Sequence, residues 1–356
     1  MQRCWPILIC DEATQRPGNG RAILSTDLSI QNRSTGSRHE VTLDAAAPRI
    51  DRALAELLPL SRTQIQVLID GGHVEIDGVV VRRASQEVTA GSVVIVDEPP
   101  KREPSLAPES IPLTWVYEDD DCMVVDKPAG LVVHPAPGHP SGTLVNALLY
   151  HRPEVVGVGG ERKAGLVHRL DKDTSGCLLV AKNDVAHHHL ADQFAARTVT
   201  KQYLAFIWGH LKGEEGIFDA PIGRASQDRQ RMSTRTRKGR SALTKWRVVE
   251  RYLVAECVEL SLETGRTHQV RVHLSEAGHP VLGDTRYGGG PSRARGFHGA
   301  QLAVARQVAA KAPRQALHAY WLAFDRPSDG SRVEAEAPLP TDLIELRATL
   351  RQHPIA

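Results

Sequence analysis

The sequence predicts an α+β protein of two domains, a small helix–helix–sheet unit over residues 49–97 and a larger mixed domain over 113–351. Three observations carry that expectation. A chain of 356 residues exceeds what one small domain holds, and 41% of it is apolar, enough for a sizeable core. Within about fifty residues the hydrophobic period changes from helical to strand-like. A proline-dense stretch, 98–112, then separates this unit from a long run of helix and strand signals.

Taken in order, residues 1–48 read as an unstructured tail or an over-extended gene start. Gly, Ser, Thr, Asn and Arg dominate 15–39 with no sustained period. Ile50, Leu54, Leu57 and Leu58 then recur at helical spacing, and Pro59 stops that helix. Ser61 with Gln64 forms a capping box opening a second helix, whose apolar face is Ile65, Leu68 and Ile69. Gly71 and Gly72 end it. Short strands follow over 74–76, 79–81 and 93–96, the first two joined by an Asp77-Gly78 turn.

Prolines 99, 100, 104, 108 and 112 make 98–112 a semi-stiff linker. Beyond it, strand-like runs occupy 123–126, 177–181, 203–208, 246–251 and 256–262, and a helix is expected over 185–197. A further helix follows Gly265, with Val270, Leu274 and Ala277 at apolar spacing.

Composition removes several classes of function. The formal net charge is only +2, which excludes a histone-like mode of binding but not a local basic face. Aromatic residues make up 4%, so a platform of stacked rings is not the expected mode of recognition. The five cysteines are scattered and contain no C-x-x-C, which speaks against a disulfide framework or structural zinc. The apolar patch 5–10 is too short for a signal segment, and no run reaches the roughly 18 apolar residues of a membrane span. The expected address is the cytoplasm.

The segment 165–183, GLVHRLDKDTSGCLLVAKN, concentrates the chemistry. It sets His168, Arg169, Asp171, Lys172 and Asp173 in a polar loop that runs through Gly176 into an apolar strand. An ordinary charged turn is one reading. A calcium loop starting at Asp171 fails, because its twelfth position is Lys182. The order Asp171-Lys172-Asp173-Thr174 also matches the nucleophile loop of haloacid-dehalogenase-type phosphatases, although His168 and Arg169 interrupt the apolar strand those enzymes need. Gly157, Gly159 and Gly160 lack the Gly-Lys-Ser/Thr ending of a phosphate loop. His187, His188 and His189 are consecutive on a helix, about 100° apart, and cannot converge on one metal ion.

The string HRLDKDTSG (168–176) closely resembles the signature of the RluA family of pseudouridine synthases, and within it the RluD branch acting on large-subunit ribosomal RNA. Supporting matches are DKPAGLVVHPAPG (126–138), KQYLAFIWGH (201–210), LETGRTHQVRVHL (262–274), HPVLGDTRYGG (279–289) and ALHA (316–319). The region 49–96, including LSRTQIQVLIDGGHVEIDG (60–78), resembles the alpha-L RNA-binding module named after ribosomal protein S-four. The resemblance implies a catalytic domain with a mixed, largely antiparallel central sheet and a reaction without cofactor or metal. It also implies a ribosomal RNA partner, with no membrane and no protein partner, in a monomer.

By that resemblance Asp171 is the nucleophile, Arg271 the guanidinium that keeps it ionised in a water-excluding pocket, and Tyr203 the ring lying against the uracil. Arg169 is the residue that fills the space of a flipped base, His168 contacts RNA, and Arg266, His268 and Gln269 contact RNA or buttress the loop. In the small domain Arg49, Arg52 and Arg62 would grip the backbone, Arg62 at the start of the second helix near phosphate. The basic run 224–245 is either a phosphate track or a solvated hairpin. A purely RNA-binding assembly factor and an aspartyl-phosphate hydrolase are the other functional readings.

Overall fold

The computed structural model describes residues 28–33, 36–99, 106–136, 138–160, 163–225, 228, 231–236 and 238–355. The chain divides into two compact units, Met1–Arg102 and Glu103–Ala356.

The first unit contains β1 (Leu28–Arg33), β2 (Gly36–Thr42), α1 (Ile50–Leu57), α2 (Arg62–Asp70), β3 (Val74–Ile76), β4 (Val79–Val80) and β5 (Val93–Glu98). The strands form one antiparallel sheet in the order β1-β2-β5-β3-β4. Ile50 and Leu54 of α1 and Ile65 and Ile69 of α2 pack with Val74, Val94 and Val96 of the sheet. The capping box forms as expected: the Gln64 amide N–H donates to Ser61 Oγ, and the Ser61 N–H donates to Gln64 Oε1.

The sequence placed the onset of order at Arg49, and the structure moves it earlier. β2 pairs with β5 from Ser37 opposite Glu98 to Thr42 opposite Val93, and Val41 and Leu43 are core residues. The run is too short to show a sustained period, and its partner strand lies some fifty residues downstream, so local pattern could not reveal it. Residues 1–27 of the expected tail, with Cys4, Cys10 and the 5–10 patch, lie outside the described residues.

The second unit contains β6 (Thr114–Glu118), β7 (Cys122–Lys127), α3 (Leu144–His151), β8 (Ser175–Ala181), α4 (Asp184–Ala196), β9 (Thr200–Trp208) and β10 (Glu215–Asp219). It continues with β11 (Gly223–Arg224), β12 (Met232–Ser233), β13 (Leu243–Arg251), β14 (Ala255–Leu262), α5 (Gln269–Glu276), α6 (Gly299–Ala310), β15 (Leu317–Asp325), β16 (Arg332–Glu336) and α7 (Thr341–Arg351). Its main sheet runs β10-β13-β14-β9-β15-β8-β7-β6, with β16 added on β15. Every pairing is antiparallel except β15 with β8, so the sheet is mixed and largely antiparallel.

That one parallel contact sits where the polar loop enters the sheet. Ala319 faces Gly176, and a Cβ on Gly176 would lie 2.2 Å from the Ala319 carbonyl oxygen. With φ at +111°, the position admits glycine on both counts. All seven residues of β8 are buried, which makes this strand a rigid base for the loop before it.

The expected linker is only partly free-standing. Residues 100–105 lie outside the described residues, but Leu106 and Ile111 pack on the core of the second unit. Asn146 of α3 donates to the Ala107 carbonyl, and its own carbonyl receives the Glu109 N–H.

Candidate active site

The loop 168–174 is pinned along its backbone from several directions. Lys127, fully buried at the end of β7, donates its ammonium to the carbonyls of Pro128, Leu131 and Lys172 at 2.8–2.9 Å. The Gly130 N–H reaches the same Lys172 oxygen at 3.0 Å. Arg314 donates Nη1 to the Asp173 carbonyl and holds Asp342 through Nε and Nη2. Gln315 donates to the Thr174 hydroxyl, which is itself buried. Burial lowers the Lys127 pKa to about 7, opposed by the Asp173 carboxylate.

With the backbone held, the Asp171 side chain is free to meet Arg271 from α5. Arg271 Nη1 donates to Asp171 Oδ2 at 2.8 Å. The same guanidinium gives Nε and Nη2 to Asp284 at 2.6 and 3.0 Å, a bidentate pair buried under the site. Sequence reading assigned Arg271 as the partner of Asp171 and missed Asp284, although residue 284 falls in the quoted string 279–289. No spacing or period indicates that the chain returns there beneath α5.

His268 approaches Asp171 from the other side, its Nε2 lying 3.9 Å from Oδ1. The residue is in the left-handed region, φ 57°, immediately before α5. Its Nδ1 lies 2.7 Å from the Tyr287 hydroxyl, which also accepts the Met232 N–H at 3.0 Å. That hydroxyl thus links the His268 ring to the Met232 backbone. Burial lowers the His268 pKa, against the pull of Asp171. Tyr287 is a second functional position that sequence reading missed. It also donates its backbone N–H to Asp284.

Tyr203 on β9 lines the same cleft with Asp171, Arg169, Leu170, Leu262, Arg266, His268 and Arg271. Burial and then the Asp171 charge push its phenol above its ordinary range. The cleft therefore sets the Asp171 carboxylate between a guanidinium and an imidazole, beside a flat phenol ring. Arg169 is exposed at its rim.

His168 and Gln269 both bond within the protein. His168 accepts the Leu179 N–H on Nε2 at 2.8 Å and stacks on Phe194 at 4.8 Å, and burial lowers its pKa to about 3. Gln269 is buried. Its oxygen accepts from Thr264 and Arg266, and its amide donates to Leu243 and Thr244. All the bonding capacity of Gln269 is spent inside the protein, while His168 ties the loop that carries Asp171 to β8 through Leu179.

In the first unit, Arg49 and Arg62 both donate to the fully buried Asp51, and hydrogen bonding from Arg49 holds that carboxyl well below the usual range. Arg62 keeps 44% of its side chain exposed, and Arg52 is exposed. In the basic run, Arg231 lies over Tyr287, Arg235 pairs with Glu276 and Lys245 with Glu263. Arg229 and Arg237 lie outside the described residues. The three helix histidines diverge: His187 is buried, His188 bonds to the Asp184 carbonyl and His189 to Gln193. Among the described residues no helix is long and apolar enough to cross a membrane.

Comparison with known proteins bears on this site directly. A model of the RNA pseudouridylate synthase family matches residues 121–276, which span Asp171, Tyr203 and Arg271, and an S4 domain model matches 48–94. A Bacillus subtilis protein named uncharacterized RNA pseudouridine synthase YlyB is 45% identical over 306 residues, 86% of this chain and 95% of that one. Ribosomal large subunit pseudouridine synthase D of Haemophilus ducreyi is 41% identical over 313 residues, 88% of this chain and 94% of that one. The solved structure of human RNA pseudouridylate synthase domain containing 4 superposes with a TM-score of 0.50 at 26% identity, covering 68% of this chain and 94% of that one.

Proposed function

The chain belongs to the RNA pseudouridine synthase family, and from that premise we propose that it isomerises uridines of large-subunit (23S) ribosomal RNA, with Asp171 as nucleophile and no cofactor. Three relatives named ribosomal large subunit pseudouridine synthase D, 41–42% identical over 88–92% of this chain, support the choice of RNA. The S4 domain supports an RNA-gripping role for the first unit, with Arg52 and the exposed part of Arg62 toward phosphate.

The observation that carries the reading is the Asp171–Arg271 pair at 2.8 Å in a cleft lined by Tyr203. Pseudouridine formation breaks the bond from uracil N1 to the ribose, turns the base and rejoins it through carbon 5. The proton on carbon 5 is lost and N1 gains one, so no electrons enter or leave and no group donor is consumed. The step needs a carboxylate held against the sugar, and Arg271 pairs with Asp171 through Oδ2 while leaving Oδ1 turned toward His268. Tyr203 offers the uracil a flat face. A uridine must leave its stack to reach the cleft, at a cost of a few kcal/mol, and Arg169 at the rim takes the vacated place. Such an enzyme works in the cytoplasm as a monomer.

The test maps pseudouridine in ribosomal RNA treated with wild type or Asp171→Asn, with EDTA present. Modification by wild type and none by the variant, with RNA binding retained, is the expected result. Modification that survives in Asp171→Asn removes the nucleophile assignment. Loss of wild-type activity on adding EDTA removes the cofactor-free mechanism.

A further inference from the structure

Beside the Asp171 cleft a second depression is lined by Arg169, Arg197, Lys201, Arg240 and Arg266, and it shares Arg169, Tyr203, Leu262, Gly265 and Arg266 with the cleft. The two are therefore one continuous surface. Its cations come from separate parts of the fold. Arg197 caps α4 in the left-handed region, Lys201 is on β9, Arg240 bridges Ile222, and Arg266 precedes α5.

Several other surface arginines of this unit are paired with carboxylates: Arg152 with Glu118, Arg326 with Asp119 and Asp329, and Arg347 and Arg351 with Glu250. Among the described residues no carboxylate forms a salt bridge with Arg169, Arg197, Arg240 or Arg266. The one carboxylate in the lining, Glu263, is given to Lys245 at 2.8 Å. Arg266 donates Nε to the Ser241 carbonyl instead. Burial, and after it the nearby Arg240 and Arg197 charges, lower the Arg266 pKa, so these cations sit close enough to repel one another. Like charges gathered on rigid elements are costly without an anion to neutralise them.

We propose that this trough holds the phosphodiester backbone of the substrate strand next to the flipped uridine, with Arg197 and Arg240 as its outer phosphate ligands. The proposal rests on the RNA reading of the Asp171 site and adds the route by which the strand leaves it. Phe194, one of the rings in the lining, is covered by His168 on one side and Lys201 on another, so it is not a platform for a base. The trough reads backbone charge and contributes the same to any sequence that passes through it.

The experiment uses the full chain. Arg197→Ala/Arg240→Ala is compared with Arg295→Ala/Arg306→Ala, a pair of exposed arginines outside the cleft and trough that gives the same charge change. Turnover on ribosomal RNA is measured against salt. The trough variant is expected to raise KM roughly tenfold with kcat held, and to reduce the slope of log KM on log salt by about two, one for each phosphate that an arginine no longer neutralises. The control pair is expected to change neither. A trough variant that matches its control, or that loses kcat with KM unchanged, overturns the proposal. RNA binding across the same salt series, in an Asp171→Asn background, reads the trough without turnover. An unchanged binding slope with active wild type sinks the trough alone, whereas a wild type that modifies no RNA sinks the functional reading.

Discussion

Arg271 ties Asp171 to Asp284: one guanidinium donates Nη1 to the first carboxylate at 2.8 Å and Nε and Nη2 to the second at 2.6 and 3.0 Å. The bidentate pair lies on the buried side, where Asp284 keeps 1% of its side chain exposed, and the single bond on the cleft side, where Asp171 keeps 18%. The inner carboxylate thus fixes the direction in which the guanidinium points, and the outer one is left with an oxygen free of it.

Asp284→Asn tests that arrangement. It keeps the shape of the side chain but removes the charge that neutralises a buried guanidinium. The expected cost is about 3 kcal/mol of stability, a fall in Tm of about 6–12 °C for a unit of this size. Turnover should fall with it, even below the transition, because Arg271 is no longer aimed. A variant with wild-type Tm and kcat would show that Asp284 does not position Arg271.

Lys127→Met examines the support of the loop from beneath. Methionine fills similar space but takes one donor away from each of three carbonyls, including that of Lys172. A loss of roughly 3 kcal/mol is expected by denaturant unfolding, since each buried acceptor stripped of its partner costs on the order of 1–3 kcal/mol. The Lys172 carbonyl keeps the Gly130 N–H, so the loop is loosened and not released, and kcat should drop more than RNA affinity. Equal loss of both would mean that Lys127 supports the fold without positioning Asp171.

His168 makes stability fall in acid. Its Nε2 accepts the Leu179 N–H, and an imidazolium has no lone pair there. Burial lowers its pKa to about 3 from an ordinary 6.5, so between these values the unfolded chain binds a proton that the folded chain does not. Stability is therefore whole above 6.5 and is lost as pH falls through that window, at no more than about 1 kcal/mol per pH unit after solvent screening. Unfolding of wild type and His168→Asn at pH 7, 5.5 and 4.5 measures it. Parallel pH dependence in the two proteins would remove His168 as the cause.

Much of this protein was legible in the order of its residues. The capped helix pair with its small sheet, the strands β7, β8, β9, β13 and β14 of the larger unit, and the combination of Asp171, Tyr203 and Arg271 follow from local period, turn chemistry and family strings. Those signals act over a few residues, and a strand or loop shows them before it folds. What tertiary structure decided lies where distant segments meet. β2 became a strand because β5 came alongside it, Asp284 became part of the site because the chain after α5 turns back under Arg271, and Lys127 became a loop support because β7 ends beneath Lys172. The internal bonds of His168 and Gln269 were decided in the same way. A polar side chain takes its role from whichever partner it finds on burial, and those partners, Leu179 and Phe194 for one, Thr244 and Thr264 for the other, meet it only in the folded chain.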